Sequence, residues 1–393
     1  MNLRVAATAL PVLVAAVVLT VNAQRGPGAS LTLEPFVGVT SNGTVERGLF
    51  AVHATGVSTK PVMEAAARFV SALTPDERAG TTFPVDDSEW RRWNNVHRAA
   101  RAGLAFREMS AGQQARAYDL LAAGLSAKGL EKTRNVMRLN ETIAELTNNF
   151  TEYGEGLYYL VVFGEPSPTE PWGWQLEGHH LIVNYFVLGD QVVMTPTFMG
   201  SEPVVATSGK YAGTQVLQEE QDKGLLLMRA LTPDQQRKAT LEPGAKTSNR
   251  AETQAYRDNA RIPYGGIKAS DLDGSQRARL MDVVAEYVGN VADGHAKIRM
   301  EDVRRHLDDT YFAWIGETSP GSVFYYRIHS PVILIEFDHQ TPVALEGPRR
   351  PNRQHVHTVV RTPNGNDYGT DLLRLHYERH AHDATHGHVR PPR

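Results

Sequence analysis

Apolar residues follow a helical spacing at the start of the folded part of the chain. From residue 61 onward, Val62, Ala66, Phe69, Val70 and Leu73 recur three or four residues apart. That spacing places them on one face of an amphipathic helix. The sequence therefore predicts a helix beginning near Pro61, with its apolar stripe turned toward a core.

Four further segments carry a helix-start signature, in which a short polar residue precedes a Glu or Gln by three positions. Such a pair satisfies the free N–H groups of the first helical turn reciprocally. The four pairs are Thr74 with Glu77, Ser110 with Gln113, Thr232 with Gln235, and Asp273 with Gln276.

Strand-like segments follow each group of helices. They are rich in β-branched and aromatic residues, and Gly189-Asp190 provides a two-residue turn between two of them. The first block is Tyr158–Phe163, Trp172–Leu176, His180–Leu188 and Gln191–Phe198, and the second is Tyr311–Ile315, Val323–His329, Val332–Phe337 and His355–Arg361. Helices in one block and antiparallel strands in the next predict an α+β fold.

The two blocks match each other in order. Residues 164–168 read Gly-Glu-Pro-Ser-Pro and residues 316–320 read Gly-Glu-Thr-Ser-Pro, each after an apolar strand. Together with the paired helix starts, this repeat predicts an internal duplication, with one copy over residues 61–215 and the other over 216–377. A pseudo-twofold axis relating the copies is the expected arrangement.

The ends of the chain have their own character. Residues 1–23 resemble a signal peptide, with Arg4 before an apolar run and small residues at Ala23; an uncleaved membrane anchor is the alternative. Residues 24–60 predict an extended arm or linker, and residues 378–393 form a His-rich tail. These features predict export to the periplasm or the extracellular space, with no membrane span left after cleavage.

Composition narrows the classes of function. The net charge is −3 and there is no cysteine. A nucleic-acid partner is not expected, since it requires a concentrated basic field. The absence of cysteine excludes disulfides, thiol nucleophiles and thiolate metal ligands.

Histidines supply the first candidate chemistry. His355 and His357 are two apart on a predicted strand, so both imidazoles point to one face and suit Zn, Cu or Fe. His179 and His180 follow Gly178, which predicts a turn at the tip of a hairpin. The alternatives are a solvated strand face for the first pair and local turn contacts for the second.

Three carboxylates form the second group of candidate functional residues. Glu336 and Asp338 share a strand face behind an apolar run, where partial burial would favour proton transfer, and Glu177 precedes the adjacent histidines. An exposed strand end and a turn contact are the alternatives. Candidate substrate-binding residues near these strands are Trp172, Trp174, Arg327 and His329, although core packing also explains the aromatic ones.

Two long segments carry a resemblance to a known family. Residues 172–181 (Trp-Gly-Trp-Gln-Leu-Glu-Gly-His-His-Leu) and the stretch from Gln354-His355-Val356-His357-Thr358 to His376-Tyr377 are similar to an uncharacterised, mostly bacterial exported family, domain of unknown function 3500. The likeness covers roughly residues 61–377 and implies a single module without a known mechanism. It adds Asp367, Asp371 and His376 as possible partners of His355 and His357.

Three functional hypotheses remain open from the sequence. The first is a metal-dependent hydrolase, in which histidines of both copies hold a divalent transition metal and a carboxylate accepts a proton from bound water. The second is a non-catalytic binding protein for a glycan, peptide or small molecule. The third is metal sequestration by the tail histidines, which include His380, His382, His386 and His388.

Overall fold

The polypeptide folds around one large mixed sheet. The structure is a computed structural model and describes residues 33–245 and 249–380. Within these residues it is an α+β protein, as predicted from the order of helical and strand patterns. The predicted signal peptide and the tail beyond His380 lie outside the described residues.

Nine α-helices occur in the described residues. They are α1 (Lys60–Ser71), α2 (Pro75–Thr81), α3 (Ala111–Gly124), α4 (Ala127–Thr147), α5 (Gln218–Ala230), α6 (Pro233–Ala239), α7 (Gly274–Val288), α8 (Asp293–Arg305) and α9 (Thr370–Arg379). None of them combines the length and apolar character needed to cross a bilayer.

Twelve strands form the sheet in this part of the chain. They are β1 (Thr82–Phe83), β2 (Leu104–Ala105), β3 (Tyr158–Phe163), β4 (Trp172–Gly178), β5 (Leu181–Leu188), β6 (Gln191–Val193), β7 (Thr197–Ser201), β8 (Ile267–Lys268), β9 (Tyr311–Gly316), β10 (Phe324–His329), β11 (Leu334–His339) and β12 (Val356–Arg361).

The strand order places β7 and β12 side by side at the centre. The order is β1-β3-β4-β5-β7-β12-β11-β10-β9-β8, with β2 beside β3 and β6 beside β5. All pairings between these strands are antiparallel except β1 with β3. The strands near the N-terminus therefore meet those near the C-terminus along the β7–β12 pair.

The two faces of the sheet differ in chemistry. Side chains alternate between faces along each strand. Trp174 of β4 and Phe337 of β11 belong to the main apolar core shared with α1, α3, α5 and α7. Their neighbours Glu177 and Glu336 lie on the opposite face, which is buried although polar. That second face is the one that positions the candidate site.

The predicted helix starts are confirmed. Thr74, Ser110, Thr232 and Asp273 each form a capping box with the residue three positions later. The signal is reliable because it is local, involving only one helical turn.

Two strand predictions require correction. The segment Gln191–Phe198 is divided into β6 and β7, with Pro196 between them, because proline has no N–H to donate to a ladder. Gly178 is the last residue of β4 and not the turn, which is made by His179-His180. A Cβ at Gly178 would lie 2.2 Å from the Tyr158 ring, so close packing explains the glycine.

The arm runs in an extended path over the sheet. Asp190 accepts hydrogen bonds from the backbone N–H groups of Thr55 and Gly56, and Thr40 pairs with Arg261 in a single parallel bridge. Residues 33–59 contain no helix or multi-residue strand, and α1 begins at Lys60.

Candidate metal centre

Three imidazoles converge on one point at the edge of the polar face. Nε2 of His355 lies 3.2 Å from Nε2 of His180 and 3.0 Å from Nε2 of His357. These residues form the one group of three or more potential metal ligands found among the described residues. A metal with tetrahedral ligands at 2.0–2.1 Å requires nitrogens about 3.3 Å apart, close to both distances.

The hydrogen bonds on the far side of two rings fix their tautomers. Nδ1–H of His355 donates to Thr341 O at 2.8 Å, and Nδ1–H of His357 donates to Gln254 Oε1 at 3.2 Å. In a neutral imidazole the other nitrogen is then an acceptor. Two Nε2 lone pairs thus face each other at 3.0 Å, an arrangement that requires a cation or a proton between them.

The local backbone explains how the rings meet. His355 directly precedes β12, and His357 lies on it two residues later, so both face the same side, as predicted from their spacing. His180 ends the two-residue turn between β4 and β5 with φ at +62°, a conformation that L side chains rarely adopt. Gly200 of β7 lies between them, and its N–H donates to His180 O at 2.8 Å.

Gly200 leaves room for the rings. A Cβ at this position would lie 3.1 Å from His357 Cδ2 and 3.3 Å from His180 Cδ2. It would also lie 2.7 Å from the carbonyl oxygen of Val356. The glycine therefore permits the approach of the two histidines across the central strands.

A buried carboxylate supports the cluster from behind. Glu202 Oε2 is 3.4 Å from His355 Nδ1, and the carboxylate accepts the backbone N–H groups of Val343, Ala344 and Leu345. A carboxylate behind a metal-binding histidine orients the ring and raises its basicity. Glu202 thus fixes His355 and the loop beside it.

The histidines are neutral at physiological pH. None of the three ligand side chains is more than 7% exposed. Burial lowers the pKa of His180 and His357 well below the usual value, and neighbouring histidines lower it further. Burial also lowers the pKa of His355, although Glu202 opposes the effect. Neutral imidazole is the form that binds metals.

His179 lies beside the cluster and has a separate partner. Its ring stacks on His180 with centroids 3.9 Å apart, and its Nδ1–H donates to Asn140 Oδ1 at 2.8 Å. It is not one of the three converging residues. The Tyr153 ring packs against it at 5.4 Å, with His97 4.7 Å from Tyr153.

The three predicted carboxylates differ in their surroundings. Both oxygens of Glu336 accept hydrogen bonds. Oε1 accepts from Tyr325 OH and from the N–H of Glu252, and Oε2 accepts from the N–H and the hydroxyl of Thr253. Glu177 Oε1 accepts Asn94 N–H at 2.8 Å and lies 3.1 Å from Arg101 Nε. Burial raises the pKa of Glu177 to about 7, and Arg101 opposes that rise.

Of the three carboxylates predicted from the sequence, Asp338 is the one that pairs directly with a histidine of the cluster. It pairs with His357 across β11 and β12, and directly paired side chains lie on one face about 5 Å apart at Cβ. Its Oδ2 accepts from Gln340 and from Ala251 N–H, but its buried Oδ1 has no hydrogen-bond partner. Burial raises the pKa of Asp338 to about 7.

The remaining predicted site residues lie apart from the three histidines. Trp172 and Trp174 have no exposed surface and belong to the main core on the opposite face, so they cannot form a ligand platform. Arg327 donates to Glu252 and to Pro263 O. His329 pairs with Leu334, at the end of the β10–β11 hairpin opposite Asp338.

The partners suggested by the family resemblance are likewise engaged elsewhere. Asp367 binds Arg361 and accepts the N–H of Thr362, at the opposite end of β12 from His355. His376 lies on α9, 3.5 Å from Glu170, and Asp371 pairs with Arg47 and Arg374. None of them is in the three-histidine group.

Sequence reasoning missed the residues that contact the ligands and the neighbouring His179. Glu202, Gln254 and Asn140 come from segments distant in the chain, and each contacts a histidine through the fold alone. The one available signal was Glu202 in the run Gly200-Ser201-Glu202-Pro203, an acidic residue after an apolar strand.

The protein is thus an α+β protein with a buried three-histidine cluster where its central strands β7 and β12 meet. The chain belongs to the family described as a protein of unknown function, DUF3500, whose model matches residues 55–370. The resemblance expected from the sequence is thereby confirmed. No curated protein and no solved structure matches the chain.

Proposed function

We propose that this protein is an exported metal-dependent hydrolase with a mononuclear centre held by His180, His355 and His357. The observation that carries the proposal is the geometry of His355 and His357. Their Nε2 lone pairs face each other at 3.0 Å, because each ring donates its Nδ1–H to another residue. A zinc ion with three protein ligands and one open position lowers the pKa of bound water to about 7.

The protein's own groups have distinct parts in this proposal. The three imidazoles would hold the ion, and Asp338 would accept the proton from the bound water. Thr341 O and Gln254 Oε1 orient two of the rings, and Glu202 lies behind His355. Asp338 suits this part because one of its oxygens has no partner and because its pKa is raised to about 7. Glu177 and Glu336 have a positioning part, since Glu177 Oε1 accepts Asn94 N–H and both oxygens of Glu336 accept hydrogen bonds.

The surroundings favour a substrate with an apolar group. Val96, Phe150 and Val343 are large apolar residues with exposed side chains, and each belongs to a segment that contacts the site. Val343 is bonded to Glu202, and the segments of Val96 and Phe150 contain His97 and Tyr153. In this proposal these three side chains provide the apolar contact for the substrate.

Elemental analysis tests the metal centre. The protein is prepared with His380, His382, His386 and His388 replaced by alanine, so that the tail does not contribute. About one equivalent of a transition metal is expected, and His355→Ala or His357→Ala should reduce it severely. His306→Ala, on a half-buried ring directly after α8, is the matched control. A content below about 0.2 equivalents in the parent protein would refute the centre.

Asp338→Asn tests the proposed proton acceptor. On esters and amides with apolar acyl groups, we expect kcat to fall by about 10²–10⁴ while the metal content stays unchanged. Glu346→Gln, in an exposed loop, is the control. Equal activity of D338N and the parent protein would remove Asp338 from the mechanism.

We also propose that the chain arose by duplication and has a pseudo-twofold axis between β7 and β12. Gln113 Nε2 donates to Ala72 O and Glu77, and Gln276 Nε2 donates to Ala230 O and Gln235. The strand order is also mirrored about the β7–β12 pair. In this view the metal centre lies at the junction of the copies, with one ligand from the first and two from the second.

A further inference from the structure

A cavity lies between the helices and the sheet, separate from the three histidines. It has a volume of about 200 Å³ and is bounded by the end of α7, by α8, by the ends of β7 and β12, and by the arm. Val360 of β12 lines it from the helix-facing side, whereas His357 points to the other face. The two sites therefore lie on opposite sides of the same central strands.

Most of the lining is apolar. It includes side chains from the arm, the sheet and both helices, which together leave a largely apolar space suited to a hydrocarbon chain. The principal apolar residues are Phe50, Val192, Met194, Val291, Ile298 and Ile333.

One guanidinium is held within this apolar lining. Arg299 is mostly buried on α8, where it donates to Val332 O and to Thr362 Oγ1. Its nearest carboxylate, Asp302, is 4.0 Å away and is shared with Arg305. Burial lowers the pKa of Arg299, which shows the cost of placing this charge here.

The charged residues of the lining leave an unbalanced positive charge. Arg299 and Arg305 face a single carboxylate, Asp302, so the lining carries a formal charge of +1 with its histidines neutral. A buried charge without a full partner is stabilised by an anion of complementary geometry. A carboxylate fits a guanidinium through two parallel N–H···O bonds.

The wall facing the solvent is fixed in place. Residues 49–55 of the arm cover the cavity, and the arm is tied to the sheet through Gln191, which accepts the N–H of His53, and through Asp190, which accepts that of Thr55. The cavity is thus a built feature of the fold.

We propose that this cavity binds a monocarboxylic acid with an unbranched apolar tail, its carboxylate paired with Arg299 and its tail between the arm and α8. The proposal does not depend on the metal centre, and the two can fail separately.

Calorimetric titration with straight-chain alkanoates of increasing length tests the binding site. Each added methylene should raise the affinity about fourfold until the cavity is filled. The alkanol of equal length should bind at least about tenfold more weakly, because it lacks the charge that pairs with Arg299.

Variants separate recognition from structural support. In Arg299→Gln, the preference for alkanoate over alkanol should disappear, whereas Arg304→Gln, an exposed arginine of the same helix, should retain it. Val192→Trp should abolish binding of both ligands by filling the space. A preference that persists in R299Q, or an affinity independent of chain length in the parent protein, would overturn the proposal.

Discussion

Single hydrogen bonds decide the chemistry of the histidine cluster. The Thr341 carbonyl and the Gln254 amide each hold one Nδ1–H, so the acceptor nitrogens are turned toward each other. Without these partners, either ring could change tautomer and donate to its neighbour. Whether the three rings can bind an ion therefore depends as much on the residues behind the rings as on the rings themselves.

Glu202→Gln tests the support behind His355. We expect the dissociation constant for the bound metal to rise about tenfold or more, because the carboxylate near Nδ1 loses its charge. The measurement is a competition titration against a chromophoric chelator. Glu219→Gln, on an exposed side chain of α5, is the control, and an unchanged constant in E202Q would exclude the role.

The burial of His329 leads us to expect that the stability of the fold depends on pH. Both of its ring nitrogens are buried without hydrogen-bond partners, and its ring packs on Tyr264 at 4.5 Å. Burial lowers its pKa to about 3, with Arg327 adding to the effect. Between pH 6.5 and 3, the unfolded chain therefore binds a proton that the folded chain does not, and stability is lost as the pH falls.

His329→Phe should remove that loss. The slope of the unfolding free energy against pH should decrease by about 1.4 kcal/mol per pH unit between pH 4 and 6. Denaturant unfolding at several pH values measures it. A variant that is less stable than the parent at every pH, with the slope unchanged, would show that the imidazole has a partner in solution.

At the scale of elements, the central strands β7 and β12 hold the site together. Gly200 on β7 is the point at which a side chain would separate His180 from His357. The geometry of the centre thus depends on close strand contact as well as on its ligands.

Gly200→Ala is expected to weaken metal binding by about tenfold or more without removing any ligand. The added Cβ must displace the two rings or the Val356 carbonyl, a strain of about 1–3 kcal/mol. Metal affinity and thermal unfolding are both measured. Gly112→Ala, where a Cβ meets nothing within 4 Å, is the matched control. An unaltered metal affinity in G200A would show that the rings of His180 and His357 do not require a glycine at this position.

The elements themselves were largely predictable, and the site only in part. Capping boxes and strand periods depend on neighbours a few residues away, so Thr74 with Glu77 and the pair His355 with His357 were found from the sequence. His180 joins them only because β5, β7 and β12 are adjacent, which no local pattern reveals. Gln254 lies 103 residues from His357, so its contact with that ring could not be predicted for the same reason.

At the scale of the whole molecule, the proposed metal centre would join the two halves of the sheet, which meet at β7 and β12. An ion bound to the folded state alone should raise the unfolding free energy by about 2.7 kcal/mol at a free concentration of 100 times its dissociation constant. Thermal unfolding with and without added zinc measures the shift. His180→Ala should abolish it, and an equal shift in that variant would place the ion elsewhere.

The position of the proposed ligands along the chain has a consequence for when an ion could be bound. His180 and His355 are separated by 175 residues, so one ligand is synthesised long before the other two. A nascent chain that has not yet reached β12 therefore lacks two of the three ligands. For an exported protein, the ion would be taken from the supply outside the cytoplasm, so the surroundings in which folding ends would select the metal.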